Sequence, residues 1–358
     1  MYSLYWLEYI YIILVMEKAI PLDKFIEHSL YDKKKGYYIN KNPIGENGDF
    51  ITSPQISVHF SEMIAIWLVG FWEKLGKPKN LNVIELGAGT GEMMYQINKS
   101  ISSFKQFKQS CNFYILEISP ELIKIQKKRN NLFKIKWIDN LNEIKKNPSI
   151  FLANEFFDSL PVKHFIRENN EWFEKYITKK KDKYFFKNKK KKIVEIEKIL
   201  GEKIKKNQNF IEVSPKSIAK ISKISSIVKK NNGGVLIIDY GYLEKKMSDT
   251  IQCVKNHKKV DFLNNIYNSD ITHLLNFNFY LKKFKKNLDK VKITTQGEFL
   301  TNMGIFKRAE MISKSLSFSK KSDLYYRLQR LVDDRQMGKL FKVMFATKKK
   351  NKFSMGFK

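Results

Sequence analysis

The sequence predicts an α/β fold, a doubly wound and mostly parallel sheet flanked by helices. Three observations carry this expectation. From residue 81 onward, short apolar runs alternate with helical patterns, as parallel strands joined by crossover helices require. The first of those runs ends in a glycine-rich turn that opens a helix. At 358 residues, with 43% hydrophobic and 14% aromatic side chains, the chain can fill a large core and is not of disordered composition.

The first fifteen residues, MYSLYWLEYIYIILV, are apolar and aromatic but interrupted by Glu8. They are too short for a spanning helix and lack the basic start of a signal peptide. They read as a mis-assigned start or a packed helix, and a cytoplasmic location without a membrane span is expected. Residues 16–80 read as helices around one irregular loop, Gly36 to Pro54, dense in glycine, asparagine and proline. Ser53 before Pro54 predicts a helix start capped by Ser53. Ile56, Phe60, Ile64, Trp67 and Phe71 then recur on one helical face, a core stripe.

Asn82–Leu86 (NVIEL) predicts a strand, followed by the glycine turn and a helix carrying Met94, Ile97 and Ile101. Phe113–Ile118 (FYILEI) is the next strand, and Ser119-Pro120 starts another helix. Lys136–Ile138, Ile150–Ala153 and Val235–Asp239 are further strand candidates, and Phe341–Thr347 reads as a last one. Between His164 and about Glu212 the period shifts toward two, in WFEKYI and KYFFKN. That shift predicts an inserted hairpin with a solvated, lysine-rich tip around Lys189–Lys192. Residues 242–300 are mixed in pattern.

A formal net charge of +31 suggests a polyanionic partner. Yet only six of the 67 basic residues are arginine, and lysine, isoleucine and asparagine are abundant in every segment. An AT-rich coding bias spread over solvated faces accounts for this better than a basic patch, and arginine is the residue of bidentate phosphate and guanine recognition. Nucleic acid is therefore not the expected partner. Two distant cysteines, Cys111 and Cys253, exclude a disulfide framework and a cysteine-based zinc module. Five histidines show no ligand spacing, so no metal is expected.

The chemistry concentrates in Val83–Met94, VIELGAGTGEMM. Gly87, Gly89 and Gly91 let the backbone approach a ligand, and the helix start offers free N–H groups. Glu92 stands where a dinucleotide fingerprint has its third glycine. Glu85 closes the first strand, and Glu117 closes the second, where a carboxylate can accept hydrogen bonds from ribose hydroxyls. Acidic strand ends suit a cationic sulfonium and ammonium rather than a pyrophosphate, so the expected cofactor is S-adenosyl-L-methionine. The fourth strand ends in FLANEFFDSLPV, which sends Asn154, Glu155 and Asp158 to the same edge. The prolines that mark methylation of a base amino group are missing here. A carboxylate suits a cationic acceptor, because it can hold a guanidinium bidentately with a nitrogen aimed at the methyl.

With these blocks on the page, the sequence resembles the mitochondrial dysfunction protein A family, whose mitochondrial members are assembly factors of respiratory complex I. The resemblance runs from about Pro21 to Met344. It is carried by Gly36–Tyr38, Gly48–Ser57, IELGAGTGEMM, LEISPELIKIQ, ANEFFDSLPV, Glu212–Pro215, Gly233–Gly241, Thr295–Ile305 and Met337–Met344. It implies a class I methyltransferase with a seven-stranded Rossmann-like sheet, using S-adenosyl-L-methionine to dimethylate, symmetrically, an arginine of the 49-kDa-type complex I subunit. It implies a helical cap over 1–80 and a methyltransferase domain over 81–358, with the insertion at about 164–212 and family-specific elements over 242–345. It also implies that Asp49, Thr52 and Ser53 close over the cofactor, and that Tyr240 and Asp239 line the acceptor side with Asn154, Glu155 and Asp158. The family usually has glutamate where Gln55 stands and aspartate where Asn276 stands, and Leu274 departs from its pattern too. Two alternatives stay open: a non-catalytic complex I assembly chaperone and a nucleic-acid methyltransferase.

Overall fold

A computed structural model describes residues 19–40 and 52–357. The apolar N-terminal fifteen residues and Asp49 lie outside the described residues. The chain divides into two compact units. One takes in residues 52–158, 219–243 and 274–357, and the other residues 19–40, 159–218 and 244–273. The segment expected as one cap is thus shared: residues 19–40 belong with the inserted strands, and residues 52–80 belong with the large sheet.

The large sheet contains β1 (Leu81–Leu86), β2 (Cys111–Leu116), β3 (Ile135–Ile138), β4 (Ser149–Asn154), β5 (Gly233–Tyr242), β6 (Lys290–Thr295) and β7 (Phe341–Thr347). Their spatial order is β6-β7-β5-β4-β1-β2-β3. The first five are parallel to their neighbours, and β7 runs antiparallel between β5 and β6. This is the class I methyltransferase sheet. A two-residue strand, Leu275–Asn276, pairs with the far end of β5. β1 and β4 are central and buried along nearly their whole length, which is why they read as unbroken apolar runs. β2 starts two residues before the expected Phe113 and stops at Leu116, so Glu117 is the first residue of the loop. β6 was hidden in the mixed region: an outer strand alternating lysine with apolar and threonine residues carries no strong core signal.

Helix α1 (Val58–Lys74) carries the expected stripe. Phe60, Ile64, Trp67 and Phe71 are fully buried, and the Trp67 and Phe71 rings each meet Phe345 of β7 edge-on at 5.0 Å. Burying each such side chain contributes roughly 1.5–3 kcal/mol. Helices α2 (Glu92–Ser100) and α3 (Pro120–Arg129) follow β1 and β2.

In the other unit the insertion is two successive hairpins. Lys163–Glu168, Glu171–Lys180 and Lys183–Lys191 pair in order, while Phe210–Val213 and Ile20–Pro21 complete the antiparallel sheet. Asn169, Asn170 and Lys181 take the positive φ that tight hairpin turns demand. The lysine run lies along the outer strand Lys183–Lys191 and not at a tip. Charge on an edge strand discourages pairing with another sheet. Three metal-capable side chains meet in this unit, and each is engaged within the protein. His164 Nε2 lies 2.7 Å from Glu212, Glu212 accepts the Thr250 amide at 3.2 Å, and Asp249 pairs with Lys175 at 3.1 Å. Among the described residues no helix is long and apolar enough to cross a membrane.

Candidate active site at the carboxyl edge of the sheet

The glycine turn joins β1 to α2. Gly87, Gly89 and Gly91 have φ of 62°, 52° and 78°, a region that disfavours side chains. A Cβ on Gly87 would meet the Phe156 ring at 2.7 Å, and one on Gly91 would meet Asn130 Nδ2 at 2.8 Å. The turn is therefore tight against the protein on one side, leaving its backbone to face a ligand on the other.

Two buried carboxyls flank this turn. Glu85 is 3% exposed, and its Oε2 has no hydrogen-bond partner among the described residues. Burial first, and the neighbouring Glu117 carboxylate second, push its pKa up to about 8 against the opposing Met94 amide. Glu117 accepts the Ile118 and Ser119 amides at 2.8 and 3.0 Å and Gln126 Nε2 at 3.1 Å. Burial nonetheless raises its pKa as well.

Sequence reasoning missed the braces behind the turn. Gln126, fully buried on α3, donates to Gly89 O at 2.9 Å as well as to Glu117, and its Oε1 accepts Trp137 Nε1 at 3.0 Å. Asn130 donates to Gly91 O at 3.2 Å. Both side chains share the inward face of α3 with Ser119 and Leu122, at spacings of four and three residues. Buried polar residues at helical spacing were the available signal.

At the end of β4 the acceptor-side residues converge. Glu155 adopts φ +49°, which costs a non-glycine residue roughly 1–3 kcal/mol, and its amide donates to Ile238 O at 3.0 Å. Its Oε1 accepts the Ser53 amide and Asn154 Nδ2, each at 3.2 Å, and its Oε2 accepts the Tyr240 hydroxyl at 3.3 Å. Four predicted residues thus meet at one carboxylate. Tyr240 is half-buried beside Glu155, Asp158 and Asp239; its desolvation first and then these charges hold its phenol well above its usual range. Asp158 is 4% exposed and sits in a turn, not on a helix. Asp239 is fully buried, and its carboxyl accepts the amides of Phe157 (3.0 Å), Asp158 (3.4 Å) and Tyr240 (2.9 Å), shaping the loop after β4.

The N-terminal loop reaches the same edge through the short helix Ser53–Ile56, capped by Thr52 and not by Ser53. Ser53 is instead the first helical residue, and its hydroxyl donates to buried Gln296 at 3.3 Å. Gln55 accepts the Thr52 amide at 3.2 Å and reaches Thr90 of the glycine turn at 3.5 Å. Asn276 caps the helix Phe277–Lys285 by accepting the Phe279 amide at 3.0 Å, a task an aspartate performs equally.

Residues 63–294 match the family described as "Putative S-adenosyl-L-methionine-dependent methyltransferase". The chain belongs to this family. S-adenosyl-L-methionine is the methyltransferase's cofactor, and the residues present fit it. The tight glycine turn leaves a backbone cradle, the Glu117 carboxyl beside it could accept from ribose hydroxyls, and the buried Glu85 carboxyl, with an unpartnered oxygen, could ionise against a cationic ligand. The methyltransferase is 28% identical to the Xenopus tropicalis "Protein arginine methyltransferase NDUFAF7, mitochondrial", over 90% of this chain and 81% of that protein. Identity to the human protein of the same name is 27%, over 90% and 78%. A crystal structure from Burkholderia thailandensis, bound to S-adenosyl-homocysteine, shares the fold with a TM-score of 0.79. It has 19% identity and covers 94% of this chain and 90% of its own.

Proposed function

We propose that this methyltransferase symmetrically dimethylates an arginine on a complex I subunit of the 49-kDa type. The observation that carries the reading is Glu155, held at a strained φ with both carboxylate oxygens turned to polar groups at the edge where the methyl acceptor belongs. Support also comes from the relatives' names, which give protein arginine as their substrate. When bound, the cofactor supplies an electrophilic methyl group on a sulfonium. Glu155 pairs with the guanidinium through two oxygens, which aligns a nitrogen lone pair with the methyl carbon. Asn154, Tyr240 and the Ser53 amide hold that carboxylate in place, and Phe156, packed over Gly87, limits the approach. The attacking nitrogen becomes acidic as it bonds, and Glu155 takes the released proton. We place Asp158 and Asp239 behind this group; burial and the Glu155 charge first, with these acids, keep Tyr240 protonated and donating. Thr52, Ser53 and Asp49 belong, in this reading, to the segment that covers the cofactor. We infer a cytoplasmic setting, whereas the curated relatives are named mitochondrial.

The test is transfer of labelled methyl from the cofactor to the purified complex I subunit, with the modified residue located by mass spectrometry. Symmetric dimethylarginine at one site is expected, and an Arg→Lys substrate should lose the label. Label on nucleic acid alone would overturn the reading. No transfer by a protein that still restores complex I assembly would favour the chaperone.

A further inference from the structure

A cavity of about 380 Å³ lies among the short helix Ser53–Ile56, the start of α2, the end of α3 and the helix Phe318–Val332. None of its lining residues comes from the ends of β1, β2, β4 or β5, and Gln55 and Glu92 form its side nearest the glycine turn. Its wall holds three basic residues, Arg129, Arg327 and Arg330, and no lysine. The chain has 67 basic residues and only six arginines, so half of its arginines face this one space. The solvated faces of this protein are lysine-covered. A wall whose cations are all guanidinium groups has the planar, forked donors that bind oxyanions in pairs, which ammonium groups do not reproduce.

The cations differ in what they already hold. Arg129 pairs with Glu92. Arg327 donates from Nε to Asp323 at 2.8 Å and from Nη1 to Ile56 O at 3.3 Å, contacts that fix the plane of its fork. Arg330 is half-buried and makes no ion pair among the described residues. The lining therefore carries one uncompensated positive charge beside an oriented guanidinium. The volume lies in the range of small-ligand pockets and is far larger than one water needs. Tyr326, 62% exposed, and Val58, 41% exposed, give the mouth an aromatic and an apolar face.

We propose that this cavity is an oxyanion site, in which Arg330 and Arg327 bind a carboxylate or phosphate group. The group is either a free small anion or an acidic side chain of the protein partner. Isothermal titration of the full chain with inorganic phosphate and with a short aspartate-containing peptide, at constant ionic strength in chloride, tests the site. Its asparagine counterpart serves as the control peptide. Saturable binding of at least one probe is expected. Arg330→Gln should weaken it fivefold or more, Arg327→Lys should weaken it measurably, and Lys320→Gln, an exposed change on the same helix, should not. Thermal unfolding of each variant confirms that it is folded. Phosphate binding without peptide binding assigns a free anion; tighter binding of the aspartate peptide than of phosphate or the asparagine peptide assigns a side chain. No binding of either probe, or wild-type binding by Arg330→Gln, overturns the proposal. So does loss of S-adenosyl-L-methionine affinity in Arg330→Gln, which would make the cavity part of the cofactor site. None of these readouts uses methyl transfer, so they stand apart from the arginine reading.

Discussion

Two carboxylates at the same edge of the sheet are held in opposite ways. Glu117, after β2, is fixed by two amides of its own loop and by Gln126, a side chain itself locked by Gly89 and Trp137. Glu155, after β4, is held by its neighbour Asn154 and by Ser53 and Tyr240 from two remote stretches of chain, and it sits at a φ few glutamates adopt. A group anchored by neighbouring amides stays where its loop puts it. A group held by groups from several elements in a strained conformation is placed by the whole fold, which is how reactive geometry is usually maintained. Asp239 sharpens the contrast, since its carboxyl is taken up by three backbone amides, two of them in the loop after β4.

The largest expected effect would separate support from chemistry. Asp239→Ala leaves the amides of Phe157 and Asp158 in the loop after β4, and that of Tyr240 in β5, without this acceptor, and should cost about 3–5 kcal/mol of stability, at roughly 1–3 kcal/mol per unsatisfied buried group. Urea unfolding measures it, and a loss under 1 kcal/mol would end the structural assignment of Asp239. Next comes Glu155→Gln. It is nearly isosteric, so it should keep the unfolding midpoint and cofactor affinity while methyl transfer falls on the order of a hundredfold. Equal turnover of variant and wild type would leave the acceptor edge without its proposed catalytic carboxylate.

On the cofactor side, Glu117→Ala should weaken S-adenosyl-L-methionine by about 1.5–3 kcal/mol, the scale of hydrogen bonds to a charged group. Calorimetry with unchanged affinity would make Glu117 a loop anchor like Asp239, and the comparison would collapse. The smallest effect per measured step is a pH slope. Glu85 titrates near 8 when folded against an ordinary value near 4.5, so between these pH values the folded chain holds a proton that the unfolded chain releases. Stability of the ligand-free protein should therefore fall as pH rises through that window, by at most about 1.4 kcal/mol per pH unit from this group. Glu85→Gln should flatten the slope, which unfolding at pH 5, 6, 7 and 8 measures; an unchanged slope would mean that Glu85 is already ionised in the fold.

The sequence by itself determined six of the seven strands, the glycine turn and the acids at the strand ends, because these are written in short local patterns. VIELGAGTGEMM is a strand, a turn that needs positive φ and a helix start within twelve residues, and FLANEFFDSLPV names the residues at the end of β4 in order. The stripe of Phe60, Ile64, Trp67 and Phe71 predicted its own burial for the same reason. Tertiary structure alone decided which acid does what. Glu155 and Asp239 are both acids toward strand ends, but one meets a backbone amide and a phenol from two distant segments and the other meets three backbone amides. It also decided that Ser53 bonds Gln296, 243 residues away, in place of capping its own helix, and that Gln126 bridges Glu117, Gly89 and Trp137. Such partners share no sequence period. Hydrogen bonds between remote segments are fixed only when the core has packed the strands and helices that carry them, so no local pattern records them in advance.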